Sequence, residues 1–445
     1  MLLVMKAQEI ERFKEKLAVF LADLVTTMGR SERRRYTEMY IRGLLMDGER
    51  KSIEPMAARI PDGDIQSLQQ FVNQSPWSHQ EVRRSLARKV EREFVPEAYW
   101  IIDEVSFPKK GAHSAGVAHQ YCGALGKTAN CQVAVTLDMG TEESSIPLDW
   151  ALYLPESWIE DTQRRKKSGV PEDAVFKTKT ELALDVIDEV RSWGLHDRLV
   201  LADSLYGDSY AFRQGLRTRR LDYIVQVEGK LLAWMSDPHP GEPLMKRGGK
   251  IPRTRLYAKD LPLAKSLRDI AGDLPSESWQ EITWREGTKG PLCSRFARLI
   301  VWLANGLVQG KTMNVEREEL LVEWPEKSDA PIKFWISSLD PATAWRDLVR
   351  KAKGRFRVEQ DYREMKRELG LDHFEGRSWQ GWHHHVTLVT TAYAFLMLER
   401  IGNKKNFWVD LAYCPPLDPN TIADVHRHMP NLREKNTKRK SQNYQ

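Results

Sequence analysis

The sequence predicts an α/β protein with a helical N-terminal domain and a β-rich segment late in the chain. Three observations carry this reading. Up to about residue 95 apolar side chains recur at helical spacing; from 96 the period becomes that of strands; from 341 the helical period returns. The domain boundaries so read are 1–95, 96–228, 229–340, 341–402 and a polar, basic tail over 403–445. A length of 445 residues suits two or three domains, at roughly 100–200 residues each.

The first helix is read from EIERFKEKLAVFLADLVTTM, where Phe13, Leu17, Phe20, Leu21 and Leu24 form one stripe. The next, GRSERRRYTEMYIRGLLM, has Ser31 as its candidate cap and Arg33, Arg34 and Arg35 in its first turn. Cations there oppose the helix dipole, which fits an external anion such as phosphate or a solvated face. DIQSLQQFVNQ and SHQEVRRSLARKVEREF complete the helical domain. YWIIDEVSF, NCQVAVTLDM and SIPLDWALYLP then read as strands, TKTELALDVIDEVRSWGL as a helix, RLVLAD as a strand, YAFRQGLRTRRL as a helix and DYIVQV as a strand. The order is β-β-β-α-β-α-β. Between 229 and 340 the strand-like runs QEITWRE, ARLIVWLA, EELLVEWP and IKFWISSL recur among scattered Pro and Gly. One helix is expected over 341–370, after Asp340–Pro341, and a core helix in WQGWHHHVTLVTTAYAFLMLERI.

Composition excludes several classes. With 41% hydrophobic and 29% charged residues the chain can bury a large core, so disorder is not its main state. No run of about 18 apolar residues is present to span a membrane. MLLVMKAQEIERF lacks the basic, apolar and small-residue succession of a signal peptide. Cys122, Cys131, Cys293 and Cys414 show no zinc spacing and are expected as buried free thiols in a reducing cytoplasm. The net charge of +6 is too mild to establish a nucleic-acid partner.

Asp103 closes the apolar run YWIID, Asp203 closes RLVLAD, and Glu359 lies on the helix after the β-rich segment. A carboxylate ending an apolar strand is costly unless it meets water, a partner or a metal. Arg355, Glu359, Tyr362 and Lys366 fall at i, i+4, i+7 and i+11, one face of a helix. An acid flanked by cations suits metal-bound phosphate; an i,i+4 ion pair on a solvated helix fits the same spacing.

Three stretches, IIDEVSFPKKGAHSAGVAHQYCGALGKTANCQVAV, VLADSLYGD and RFRVEQDYREMKRELGLDHFEGRSWQGWHHH, resemble DDE transposases of bacterial insertion sequences, in the branch named after insertion sequence seven-zero-one. The resemblance runs from about Arg33 to Arg400 and implies an RNase H-like catalytic core interrupted by a β-rich insertion. It implies Asp103, Asp203 and Glu359 as catalytic residues and ligands of two Mg²⁺ ions, with Mn²⁺ able to substitute. Ions about 4 Å apart activate the attacking oxygen and stabilise the leaving one. The implied reaction is cut-and-paste: the ends of the element are cleaved, and the freed 3′-hydroxyl attacks target DNA. The implied partners are double-stranded DNA and a second copy of the chain, with the protein on the bacterial nucleoid. Related enzymes carry a Tyr-Arg-Glu-Lys signature; Arg355, Glu359 and Lys366 match it, whereas the Tyr position holds Ala352, with Tyr362 as a substitute. Some relatives stack a flipped base on a Trp of the insertion, where Trp279, Trp284, Trp302, Trp324 and Trp335 are available.

Other residues carry weaker signals. Asp208 is an alternative second acid in a turn setting, and strand alternation sends Glu104 to the face opposite Asp103. His383, His384 and His385 point about 100° apart on a helix and cannot share one ion well, leaving core packing or DNA contact. Lys109 and Lys110, near the Asp103 strand end, fit phosphate contacts or a solvated loop. The basic N-terminal helices suit DNA binding. Two other readings remain: a nuclease that does not join strands, and a silent DNA-binding descendant, which would be marked by loss of an acid.

Overall fold

The computed structural model describes residues 7–94, 97–238, 262–287, 290–304 and 315–402. The expected tail over 403–445 and Cys414 lie outside them. Packing divides the chain into two units, one built from the chain up to Val82 and from Glu364 on, the other from Arg83–Arg363.

The helices of the first stretch are α1 (Ala7–Val25), α2 (Ser31–Leu45), α3 (Ile53–Ala57), α4 (Ile65–Asn73) and α5 (His79–Glu93). The Asp64 side chain caps α4 by accepting from the Ser67 N–H at 2.7 Å. Ser31 opens α2 without capping it. Arg30 holds the cap position, with no side-chain bond.

The larger unit opens with β1 (Tyr99–Pro108), β2 (Ala118–Cys122), β3 (Lys127–Gly140) and β4 (Ser145–Leu152). After α6 (Glu156–Glu160) and α7 (Thr162–Ser168) come α8 (Lys179–Ser192), β5 (Val200–Ala202), α9 (Ser204–Gly207), α10 (Tyr210–Thr218) and β6 (Tyr223–Val227). Then follow β7 (Leu232–Trp234), β8 (Lys265–Ser266), α11 (Leu267–Gly272), β9 (Trp279–Gly287), β10 (Gly290–Leu303), β11 (Glu316–Trp324) and β12 (Lys333–Ser337). The chain ends in α12 (Trp345–Gly354), α13 (Phe356–Leu369) and α14 (Trp379–Gly402).

The strands form one mixed sheet of order β2-β3-β1-β5-β6-β12-β11-β10-β7-β8, with β4 also on β3 and β9 on β10. β1 is antiparallel to β3 and parallel to β5, and β5 is parallel to β6. A mixed sheet with helices is the α/β class read from the sequence. β12 runs antiparallel to β6, so the later strands continue the same sheet. Its centre is buried: Trp100, Ile101 and Ile102 of β1 and Val133, Ala134 and Val135 of β3 are fully covered.

In the helical unit α14 is buried along Gly381–Met397. Phe395 meets Phe13 and Phe20 with ring centroids 5.1 and 5.4 Å apart. The His triplet belongs to this core. His384 stacks on Trp77 at 3.6 Å and faces the carbonyls of Val72 and Trp77; His385 binds the Tyr40 hydroxyl at 2.9 Å. All three rings are buried, and His383 packs against His79 and Trp379, so the triplet is part of the core.

Two further expectations change. The single helix over 341–370 is two, broken at Arg355 between α12 and α13. A Cβ at Gly354 would lie 2.5 Å from the Tyr99 hydroxyl, so the joint needs glycine to approach β1. Cys122 and Cys131 are buried free thiols as expected, but Cys293 is exposed.

Candidate active site

β1 and β5 bring two acids together. Their register pairs Ile101 with Leu201 and Ile102 with Ala202. The next residues, Asp103 and Asp203, therefore stand side by side at about the 4.8 Å strand spacing. Asp203 leaves β5 and caps α9, accepting from the Leu205 N–H at 3.0 Å. Asp103 lies mid-strand rather than at a strand end, because β1 continues to Pro108. Lys109 thus follows it by six residues, about 20 Å along the strand, so neither Lys109 nor Lys110 adjoins the acid. Glu104 points to the other face and pairs with Lys179 of α8 at 2.6 Å. Asp208 accepts from the Glu228 N–H at 2.9 Å and serves a turn.

Glu359 reaches Asp103 through Arg355. The guanidinium donates from Nη1 to Asp103 Oδ2 at 2.9 Å and from Nη2 to Glu359 Oε1 at 2.7 Å. Asp103 is only 6% exposed. Burial, with Asp203 and Glu359 close by, pushes its carboxyl up to about 7, against the pull of Arg355 and the Glu104 N–H. Burial likewise raises Asp203, and Arg355 opposes it. Burial works against the Arg355 charge, but Asp103, Asp203 and Glu359 outweigh it, and the guanidinium stays firmly protonated. Among the described residues no group of three His, Cys, Asp or Glu surrounds a point where an ion would sit. A cation nonetheless occupies the space between the acids, and it is the guanidinium. A carboxylate cluster around the buried Asp103 that already holds a positive charge fits a divalent cation in its donor chemistry.

α13 is fixed to the sheet by two polar ties. Tyr362 donates to Asp138 Oδ2 at 2.9 Å and also bonds Thr136, which pairs with Asp103 across β1 and β3. Burial holds Asp138 well above the ordinary carboxylate range, although the Thr136 and Tyr362 hydroxyls lower it. Asp361 accepts from the Ser145 N–H at 2.8 Å and its hydroxyl at 2.6 Å, and pairs with Arg357 at 2.7 Å. Tyr362, read from the sequence as a DNA contact, is 7% exposed here, and its hydroxyl meets Thr136 and Asp138 inside the fold.

A cavity of about 660 Å³ opens beside Glu359. Arg355, Arg357, Arg285, Lys333 and Arg350 line it, with Trp284 and Trp335. Lys353 sits 4.8 Å from the Trp284 ring and 5.4 Å from Trp335. Of the five tryptophans read in the β-rich segment, these two line the cleft beside Glu359. Trp279 and Trp324 pack on each other at 5.2 Å, and Trp302 pairs across strands with Trp234.

In the helical unit the three arginines lie at the start of α2. Arg34 bonds the Gly29 carbonyl at 3.0 Å and Arg33 the Met28 carbonyl at 3.4 Å, which gives both cations a local partner. Arg35 is exposed and Lys366 half-buried.

A family model described as DDE superfamily endonuclease matches residues 23–291, more than half of the chain. The chain belongs to the DDE superfamily endonucleases. The match takes in Asp103 and Asp203 and ends before Glu359, whose place in the site rests on the Arg355 bridge. Membership implies dependence on a divalent metal in general. A probable transposase for insertion sequence element IS701 from Microchaete diplosiphon is 32% identical over 187 residues, 42% of this chain and 46% of that protein. The chain thus matches about half of that relative's length. Among the described residues no helix is long and apolar enough to cross a membrane. In this DDE endonuclease, Thr136, Asp138, Asp361 and the cleft cations other than Arg355 escaped the sequence reading. Alternation puts Thr136 and Asp138 on one strand face, but nothing in the sequence marks β3 as the partner of β1.

Proposed function

We propose that this endonuclease is a transposase that binds the ends of its insertion sequence, cleaves them and joins them to target DNA. The observation that carries the reading is the side-by-side placement of Asp103 and Asp203, with Glu359 joined to Asp103 through one guanidinium. These three carboxylates would hold Mg²⁺, two ions in the full reading, with Mn²⁺ as a substitute. The bound metal supplies Lewis-acid activation of an attacking oxygen and stabilisation of the leaving one.

The chain's own part is to bind and align. Arg285, Lys333, Arg350 and Arg357 offer phosphate partners along the cleft beside Glu359. Trp284, half-buried at the cleft wall, offers a stacking face for a base. Tyr362 and Asp361 hold α13 so that Glu359 keeps its place opposite β1. The exposed Arg35, the helical domain around it, Lys109, Lys110 and Lys366 are proposed as further backbone contacts, away from the chemistry. The stretch over 229–340, β7 to β12, is the proposed insertion within an RNase H-like core. Two ends joined in one complex call for two copies of the chain.

The test is a linear duplex carrying the element's ends, incubated with a target plasmid in Mg²⁺ and in EDTA. Metal-dependent cleavage at the ends followed by joined products supports the transposase. Cleavage without joining favours a nuclease, and specific binding without cleavage favours a silent DNA-binding descendant.

A further inference from the structure

We propose that Arg355 is the resident counter-ion of the acidic site: a divalent cation must displace it, and a DNA phosphate entering the cleft draws it away. This rests on the endonuclease reading of the three acids. Arg355 occupies the oxygens that a shared ion would use. Asp103 Oδ2 and Glu359 Oε1 both accept from its guanidinium, while Asp103 Oδ1 accepts from the Glu104 N–H. The acids meet across a guanidinium rather than around a point, so in the free protein Arg355 offsets part of their negative charge and competes with a metal for the same oxygens.

The route out is on the same side chain. Arg355 also lines the cleft, among Arg285, Arg350 and Arg357. It stands at the joint of α12 and α13, and α13 is held by Tyr362 and Asp361. Release therefore needs a rotation of one side chain and no shift of the helix. A phosphate matches the guanidinium fork as well as a carboxylate does. Moving Arg355 onto DNA would free Asp103 and Glu359, so metal and DNA each tighten the binding of the other by the same factor.

The experiment is Mn²⁺ titration calorimetry on the full chain, without DNA and with a duplex of arbitrary sequence at low salt, since phosphate contacts carry no sequence information. In DNA-free protein Arg355→Gln is expected to bind Mn²⁺ on the order of tenfold tighter than wild type, within the usual span of site coupling. The duplex should tighten Mn²⁺ binding to wild type by a similar factor and leave Arg355→Gln unchanged. Arg355→Lys keeps the charge without the fork; it should fall between the two and carries the test if the Gln variant does not fold. Equal or weaker Mn²⁺ binding by the Arg355 variants overturns the proposal. Asp103→Asn separates the two failures: if it binds Mn²⁺ as wild type does, the acid site itself is wrong, not merely the role of Arg355.

Discussion

Asp103→Asn should make the metal-free protein more stable while abolishing its chemistry. The folded-state carboxyl sits at about 7 against an ordinary 3.8, chiefly because it is buried. The sign follows from proton linkage. Between roughly pH 4 and 7 the folded protein holds a proton that the unfolded chain has released, so stability falls as pH rises through this window. Above pH 7 the full penalty applies, at most about 4 kcal/mol for a shift of about three units at 1.36 kcal/mol each. Asparagine imitates the protonated form and can still accept from Arg355, so we expect a gain of about 2–4 kcal/mol at pH 8, vanishing towards pH 4. Denaturant unfolding in EDTA at pH 4, 6 and 8 measures it. A variant less stable than wild type at pH 8, or a difference independent of pH, would refute the reasoning, because it would mean that Asp103 carries no burial cost in the folded state.

The remaining predictions concern the same site. Tyr362→Phe removes one of the two hydroxyls that meet the buried Asp138 and should cost about 1–3 kcal/mol of stability. It should also slow single-turnover cleavage by tenfold or more, since an ångström of misplacement costs on the order of 100-fold; an unchanged rate would show that the tie does not position Glu359. Trp284→Ala should weaken single-strand binding by about 1–3 kcal/mol, the worth of one stacked base. Trp324→Ala, away from the cleft, should leave that affinity within error, and fluorescence titration compares the two.

Local chemistry was readable in the sequence, and long-range pairing was not. The runs around Asp103 and Asp203 read as strands because their apolar, β-branched character needs no partner to be seen. That they lie side by side depends on β1–β5 register, which joins positions 100 residues apart. The helix around Glu359 was placed by its period, but the period does not say which face docks. Tyr362 shares a stripe with Glu359, yet its side chain is buried against Thr136 and Asp138, while that of Glu359 is 42% exposed. Arg355 read as a phosphate contact because its partner on β1 is 252 residues away. At the start of α2 the sequence does not show that two of the three arginines also bond carbonyls of the preceding turn, a contact that depends on the local fold. The choice among tryptophans was closed to sequence reading for the same reason: only the folded sheet brings Trp284 and Trp335 to the cleft of Glu359.

The central claim is that Asp103, Asp203 and Glu359 act as one site. Single-turnover nicking of end-bearing DNA in Mg²⁺ tests it most directly, with Asp103→Asn, Asp203→Asn and Glu359→Gln beside the turn residue variant Asp208→Asn. The account predicts that the first three bind the duplex and fail to nick, while Asp208→Asn retains nicking. Full nicking by any of the three, or loss confined to Asp208→Asn, would contradict it.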